Sequence, residues 1–417
     1  MRVWNFIIEY SVLLVAGALI GLIWANLDYE TYHHIVDFVL LKESVVGHLH
    51  YDHGEAHRVL TVHYLINDIL MAFFFAIAGK EVWEAVALKE GSLRGRRAAT
   101  PLLATVGGML GPITVYLGVA ALLGSETYSA VANGWAIPTA TDIAFSYMVG
   151  RIIFGAGHPA VRFLLLLAIA DDAAGLIILA VFYPSAELVP EWLLLSLGAV
   201  LVVYALFNHL PYWLDRNRDH KPNTTFVRNR LTFWPYAAAG ALSWYGFQEA
   251  GIHPALGLLP VIPAIPHADR AFGLMAASDR DRRDLLNSIE HKLQYPVEFV
   301  LFLFGFANAG VKLSSIGVPT LLVLLGLLVG KPVGILLFGW LGAKPLGFGV
   351  PEGMHVVDIA IVGFVAAIGF TVSLFIATVA FEAGAVQDAA KMGALLSLGA
   401  AVIALGLSRI IAVKKIP

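Results

Sequence analysis

The sequence predicts an all-α polytopic membrane protein of about twelve transmembrane helices, two of them interrupted. Three observations carry that reading. Of 417 residues, 59% are hydrophobic and only 14% charged, with a mean hydropathy of +0.77, whereas soluble domains sit near ~45–50% apolar and ~25% charged. The 40 glycines are of use where helices must approach one another closely in lipid. Residues 164–183, LLLLAIADDAAGLIILAVFY, are long enough to cross a bilayer, since roughly 20 residues at ~1.5 Å rise span a ~30 Å hydrocarbon core. Asp171 and Asp172 nevertheless sit near the middle of that stretch. An aspartate at that depth costs at least ~2.5 kcal/mol on insertion scales. Spanning requires neither of them, so the pair reads as a site.

Composition also narrows the function. The chain has no cysteine, which removes disulfides, thiolate metal sites and thiol catalysis. No basic stripe or nucleic-acid motif is present, so nucleic acid is not an expected partner. Arg2 followed by the apolar run 6–25 imitates a signal peptide, but the run exceeds a 7–15-residue core and no small-residue cleavage site follows. It is read as the first span.

Apolar segments bounded by charges or Pro/Gly breaks fall near 6–26, 62–88, 98–123, 131–151, 160–183, 190–209, 232–249, 253–266, 285–311, 319–341, 356–381 and 391–413. With a cytoplasmic N-terminus, one side collects Lys89, Arg94, Arg96, Arg97, Arg151, Arg162, the basic residues of 210–231 and 267–284, and Lys414 and Lys415. The other keeps little beyond Lys42, Arg58, Lys312 and Lys391. The positive-inside rule then places both termini, and the 210–231 and 267–284 loops, in the cytoplasm. Lys80, late in the second segment, is close enough to that face to snorkel. Lys331 lies midway through the tenth segment and needs a carboxylate partner or a favourable field.

The external stretch 42–61 alternates around a turn-like DHG and predicts a β-hairpin, a candidate surface for a homodimer. It carries His48, His50, His53 and His57 beside Asp52 and Glu55, at spacings that match no metal motif.

Segment four opens GWAIPTATDIAF at 134–145. Pro138 removes a backbone donor and clashes with the preceding turn, while Thr139 and Thr141 compete for backbone groups. Asp142 follows directly. Segment eleven has a matching weakness in AAIGFTVSLF, 366–375, at Gly369 and Thr371. Interrupted segments in corresponding positions of two halves point to a transporter site. Helical neighbours project ~100° apart, so Asp171 and Asp172 cannot face one partner equally. One faces the break in segment four, the other the helix bearing Lys331. Carboxylates, threonine hydroxyls and freed carbonyls suit a hard cation, and protons compete with that cation for the same oxygens. A sodium-coupled solute symporter on the same fold and an intramembrane aspartyl protease are the alternatives; the protease would need its two aspartates on different helices sharing one proton.

These residues resemble the NhaA-type sodium–proton antiporters of bacterial inner membranes, from about residue 11 to 409. The motifs are IND at 66–68, GWAIPTATDIAF at 134–145, AIADDAAG at 168–175, FANAGV at 306–311, GKPVG at 330–334 and GFTVSLFIA at 369–377. The resemblance implies inverted repeats, 98–183 and 319–413, whose segments four and eleven cross as extended chains between half-helices. It implies Asp171 and Asp172 as the ion-binding pair, Asp172 being the direct Na⁺ ligand, Asp142 and Thr141 as the acid and hydroxyl of the first broken helix, and Lys331 as the essential lysine. The implied activity is exchange of two protons for one Na⁺ or Li⁺, with no cofactor. Glu81, Glu290 and His291 match a cytoplasmic pH-responsive cluster and His253 a further pH-response position. Trp83 and Glu84 stand where the family leads one to expect basic side chains, and a second histidine after His291 is replaced around Gln294.

Overall fold

The computed structural model describes residues 12–52, 55–88, 91–93, 95, 98–216, 222–266, 285–411, 413 and 415–416. The apolar segments form helices: α1 (Val12–Leu27), α2 (Tyr29–Val36), α3 (Val62–Ala87), α4 (Ala99–Leu122), α5 (Ser125–Val131), α6 (Ile143–Phe154), α7 (Pro159–Phe182) and α8 (Pro190–Leu214). They continue as α9 (Pro222–Phe226), α10 (Trp234–Glu249), α11 (Leu285–Asn308), α12 (Val318–Ala343), α13 (Val356–Ala366), α14 (Phe370–Ala380) and α15 (Ala385–Ile410). Among the described residues six are long and apolar enough to cross a bilayer, α3, α4, α7, α8, α12 and α15. A seventh span results if α13 and α14, bent by 51° at the 367–369 break, are taken together. The apolar stretch Pro254–Ala264 is short because Pro254, Pro260 and Pro263 hold it in 3₁₀ turns rather than α-helix.

One expected loop has more structure than its polarity suggests. In the 210–231 region, α8 runs on to Leu214, and α9 is followed by a π-helical stretch, Val227–Leu231. Asp215 ties the intervening turn by accepting from Asn223 Nδ2 and Thr224 N, each at 2.7 Å. The 267–284 loop and His53 lie outside the described residues.

The chain divides into two compact units. The first comprises Met1–His33, Ser92–Ile178 and Phe302–Pro417. Its helices meet through glycines. Gly107 and Gly111 of α4 lie against the backbone of Gly334 and Gly330 of α12, in antiparallel register, where a Cβ on either side would strike a carbonyl. Gly17 and Gly21 of α1 lie likewise on the backbone of Phe302 and Phe306. With no hydrophobic drive between helices in lipid, such close backbone approach supplies the packing.

The second unit comprises His34–Gly91 and Leu179–Leu301. The expected hairpin is there, β2 (His48–Asp52) pairing antiparallel with β3 (Glu55–Thr61). It is joined by β1 (Val39–Ser44) on the far edge of β3, giving the order β1-β3-β2. The core gathers Val203, Tyr236, Val261, Ile262, Leu285 and Leu286 from α8, α10, the 3₁₀ turns and α11.

Candidate functional site

The first unit holds two facing breaks. A 3₁₀ stretch, Ala132–Thr139, ends at Pro138 and Thr139, and α6 starts only at Ile143. On the other side α13 stops at Ala366 and α14 starts at Phe370. Interrupting a helix at membrane depth frees N–H and C=O groups that have no water to turn to, and the chain supplies partners for them across the gap. Thr141 Oγ1 donates to Ala366 O at 3.1 Å, Ser146 Oγ to Val365 O at 3.0 Å and Asp142 N to Ile368 O at 2.7 Å. In return Ser373 Oγ donates to Ile137 O at 2.8 Å. Gly369 N donates to Ser397 Oγ at 3.2 Å.

The freed donors converge on Asp142. Its Oδ1 accepts from Phe145 N at 3.1 Å, capping α6, while Oδ2 accepts from Thr371 N at 3.2 Å and from the Thr371 hydroxyl. One carboxylate therefore caps the N-termini of both α6 and α14, where helix dipoles favour negative charge. The cation stands at the opposite kind of terminus. Lys331, fully buried where a π-helical stretch of α12 (Gly326–Gly330) ends, donates to Thr139 O and to Asp171 Oδ2, the latter at 2.8 Å. A buried ammonium is tolerable only when paired and hydrogen-bonded in this way.

Sequence left open which aspartate faces Lys331; it is Asp171. Asp172, one residue on and partly exposed, makes no hydrogen bond among the described residues, yet feels the charges of Asp171, Asp142 and Lys331. Asp142, Asp171, Asp172, Lys331, Thr141, Thr371 and the Pro138/Thr139 and Gly369 breaks are thus brought together. Thr139 adds an intrahelical bond from Oγ1 to Ala136 O at 2.7 Å. Sequence reasoning missed Ser146, Ser373 and Ser397, whose hydroxyls close the same gap; Ser146 and Ser373 are marked by standing within about a turn of a break, whereas Ser397, in α15, lies 28 positions from Gly369 and carries no such mark.

The pH-response candidates lie in the second unit and separate there. Lys80 does not snorkel: it is buried, with Nζ 2.6 Å from Glu290 Oε2, 3.0 Å from Glu84 Oε1 and 3.9 Å from Glu81 Oε1. Three carboxylates converge on it, which holds the ammonium inside. Glu84, singled out only as a departure from the family pattern, is thereby a member of the cluster. His291, adjacent to Glu290, is exposed. His253 instead caps the 3₁₀ turn Pro254–Leu256 through Ala255 N and lies 3.7 Å from Asp68. In the sheet, His48 packs edge-on against Tyr64, centroids 4.8 Å apart. Among the described residues no group of three His, Cys, Asp or Glu is placed to hold a metal.

Residues 7–407 match the profile of a protein family described as Na⁺/H⁺ antiporter 1. The chain is 65% identical over 415 residues to the Na(+)/H(+) antiporter NhaA of Jannaschia sp. (strain CCS1), covering 99% of each chain. It is 44% identical over 417 residues to the Na(+)/H(+) antiporter NhaA of Desulfitobacterium hafniense (strain Y51), covering 99% of this chain and 97% of that one. Among solved structures, the sodium proton antiporter MjNhaP1 of Methanocaldococcus jannaschii aligns at a TM-score of 0.48 and 16% identity over 99% of each chain.

Proposed function

The chain belongs to the Na⁺/H⁺ antiporter 1 family, and from that premise we propose that it extrudes Na⁺ or Li⁺ in exchange for protons by alternating access. It is a multi-pass membrane protein, and the relatives are named as antiporters, which are secondary transporters rather than enzymes. The observation that carries the reading is the uneven commitment of three carboxylates. Asp142 is taken up by helix N-termini and Asp171 by Lys331, while Asp172, partly exposed, accepts no hydrogen bond among the described residues.

In this reading Asp172 is the direct Na⁺ ligand and Asp171 its partner, and protons and Na⁺ take turns at the pair. Thr141 contributes its hydroxyl oxygen, and the carriage of two protons per Na⁺ follows from two adjacent acids. The 98–183 and 319–413 segments act as inverted repeats that rock the site between access states. Glu81, Glu84, Glu290 and His291 around Lys80, with His253 apart from them, adjust activity to pH. The protein resides in the bacterial inner membrane with both termini cytoplasmic, needs no cofactor, and dimerises through the 42–61 hairpin.

The test is reconstitution in vesicles with a weakly buffered lumen. Adding NaCl outside, with no organic solute present, should alkalinise the lumen, and Asp172→Asn should abolish the signal while expression is kept. A signal that needs an organic solute favours a symporter instead. Sodium-dependent proton exit surviving in Asp172→Asn would remove the assignment. An aspartyl protease fits poorly, because its dyad must share a proton and Asp142 is already engaged by backbone donors.

A further inference from the structure

We infer that Glu298 is a further proton-carrying residue, the inner end of a polar seam on α11 that leads from the Lys80 cluster; this rests on the antiport reading above. The outward face of α11 is marked by Tyr295 and Phe299, 49% and 57% exposed, and the inward face by buried Val297, Val300 and Leu301. Glu298 belongs with the inward set at 7% exposed. Counting back by helical steps of four, Gln294 and Glu290 share its face. Both are partly exposed, and Glu290 is the residue bonded to Lys80 at 2.6 Å. The seam therefore grades from accessible to closed along two turns of helix.

Its last member has no evident structural duty. Glu298 Oε2 has no hydrogen-bond partner among the described residues, caps no helix end, and lies in the interior of α11. A carboxylate oxygen buried without a donor, as Oε2 is, is costly while the group is ionised, and taking up a proton relieves that cost. Hydronium at the partly exposed Glu290 end gives up the proton and is left as water, and water at that same end takes the proton back as hydronium when Glu298 ionises again. The carboxylate gains a proton and becomes the acid, then loses it again, so charge and atoms balance over the cycle.

Glu298→Gln keeps the shape and removes the exchangeable proton. In proteoliposomes of the full chain, Na⁺-driven proton exit should lose about tenfold or more in Vmax. The KM for Na⁺ should stay unchanged, and Glu298→Asp should recover part of the rate. In detergent, the Na⁺-induced infrared difference spectrum should contain a carboxyl C=O band that is absent in Glu298→Gln and displaced in Glu298→Asp. Wild-type Vmax and KM in Glu298→Gln would overturn the inference. So would a difference spectrum with no band that follows this residue, a reading that does not depend on turnover. Failure of the wild type itself to exchange Na⁺ for protons would instead strike the antiport reading.

Discussion

Cutting the Lys331–Asp171 pair one side at a time tests the central geometry. Lys331→Met leaves the Asp171 carboxylate and the Thr139 carbonyl without their shared donor. Removing one partner of a buried ion pair costs about 3–5 kcal/mol, because the survivor is stranded. Asp171→Asn strands the ammonium and should cost a similar amount. The double variant strands no charge and leaves only the Thr139 carbonyl unsatisfied, a penalty of about 1–3 kcal/mol. The double variant should therefore be more stable than either single one, with a coupling energy of several kcal/mol. Equilibrium unfolding in mixed micelles, followed by the fluorescence of the nine tryptophans, measures all three. Since every one of them is expected to lose transport, stability is the informative readout. If the two single losses add to within about 0.5 kcal/mol in the double variant, the pair does not organise the site.

Packing through glycine gives a paired outcome: Gly334→Leu drives a side chain into the Gly107 backbone and should cost about 3 kcal/mol or more. Gly118→Ala, with open space around it, should stabilise α4 by roughly 0.5–1 kcal/mol, and thermal melts of both variants check the contrast. At Asp215, burial pulls the carboxyl up, but hydrogen bonds from Thr224 and Asn223 outweigh it and hold it at about 2, below the ordinary 3.8. Its contribution is present above pH ~3.8 and is lost as pH falls through about 2, so protection of the Thr224 amide in hydrogen exchange, corrected for intrinsic rate, should drop over that window. Thr141→Val strands the Ala366 carbonyl and should cost about 1–3 kcal/mol while raising the KM for Na⁺; Thr141→Ser should restore both, and an unchanged KM in Thr141→Val would strip the hydroxyl of its role as a ligand.

What sequence revealed and what it hid divide along a physical line. Apolar length is a local property, so α3, α4, α7, α8, α12 and α15 could be read from composition within their own windows. The break at Pro138 was equally local, since a missing donor and a steric clash need no partner to be foreseen. Pairings were not local. Asp142 meets Thr371 across 229 positions and Lys331 meets Asp171 across 160, and helical projection alone could say only that one of two adjacent aspartates would face the lysine. Lys80 was misread for the same reason: its depth suggested snorkelling, and only the fold brings Glu290 to it from 210 positions away. β1 (Val39–Ser44) is largely exposed and lacks the alternation that betrays a half-buried strand. The glycines at 107, 111, 330 and 334 are spaced as small-xxx-small pairs, a signal that was present but could not say which helix would meet which.

The hydrogen-bond ledger of the two breaks also constrains how coupling can work. An ion site needs acceptors that are not already spent. The carbonyls of Ile137, Thr139, Val365, Ala366 and Ile368 each already accept a bond from Ser373, Lys331, Ser146, Thr141 or Asp142. Asp142 is held by donors from two helices, so moving it would uncap both. The breaks thus support the site chiefly by fixing charges. Asp172 and the second oxygen of Asp171 are the least committed acceptors, with one ammonium already in place beside them. On the antiport reading, an arriving Na⁺ competes with Lys331 for Asp171 as well as with protons for Asp172. In that reading exchange turns on which cations occupy those two neighbouring carboxylates, while the backbone of the broken helices serves as their fixed frame.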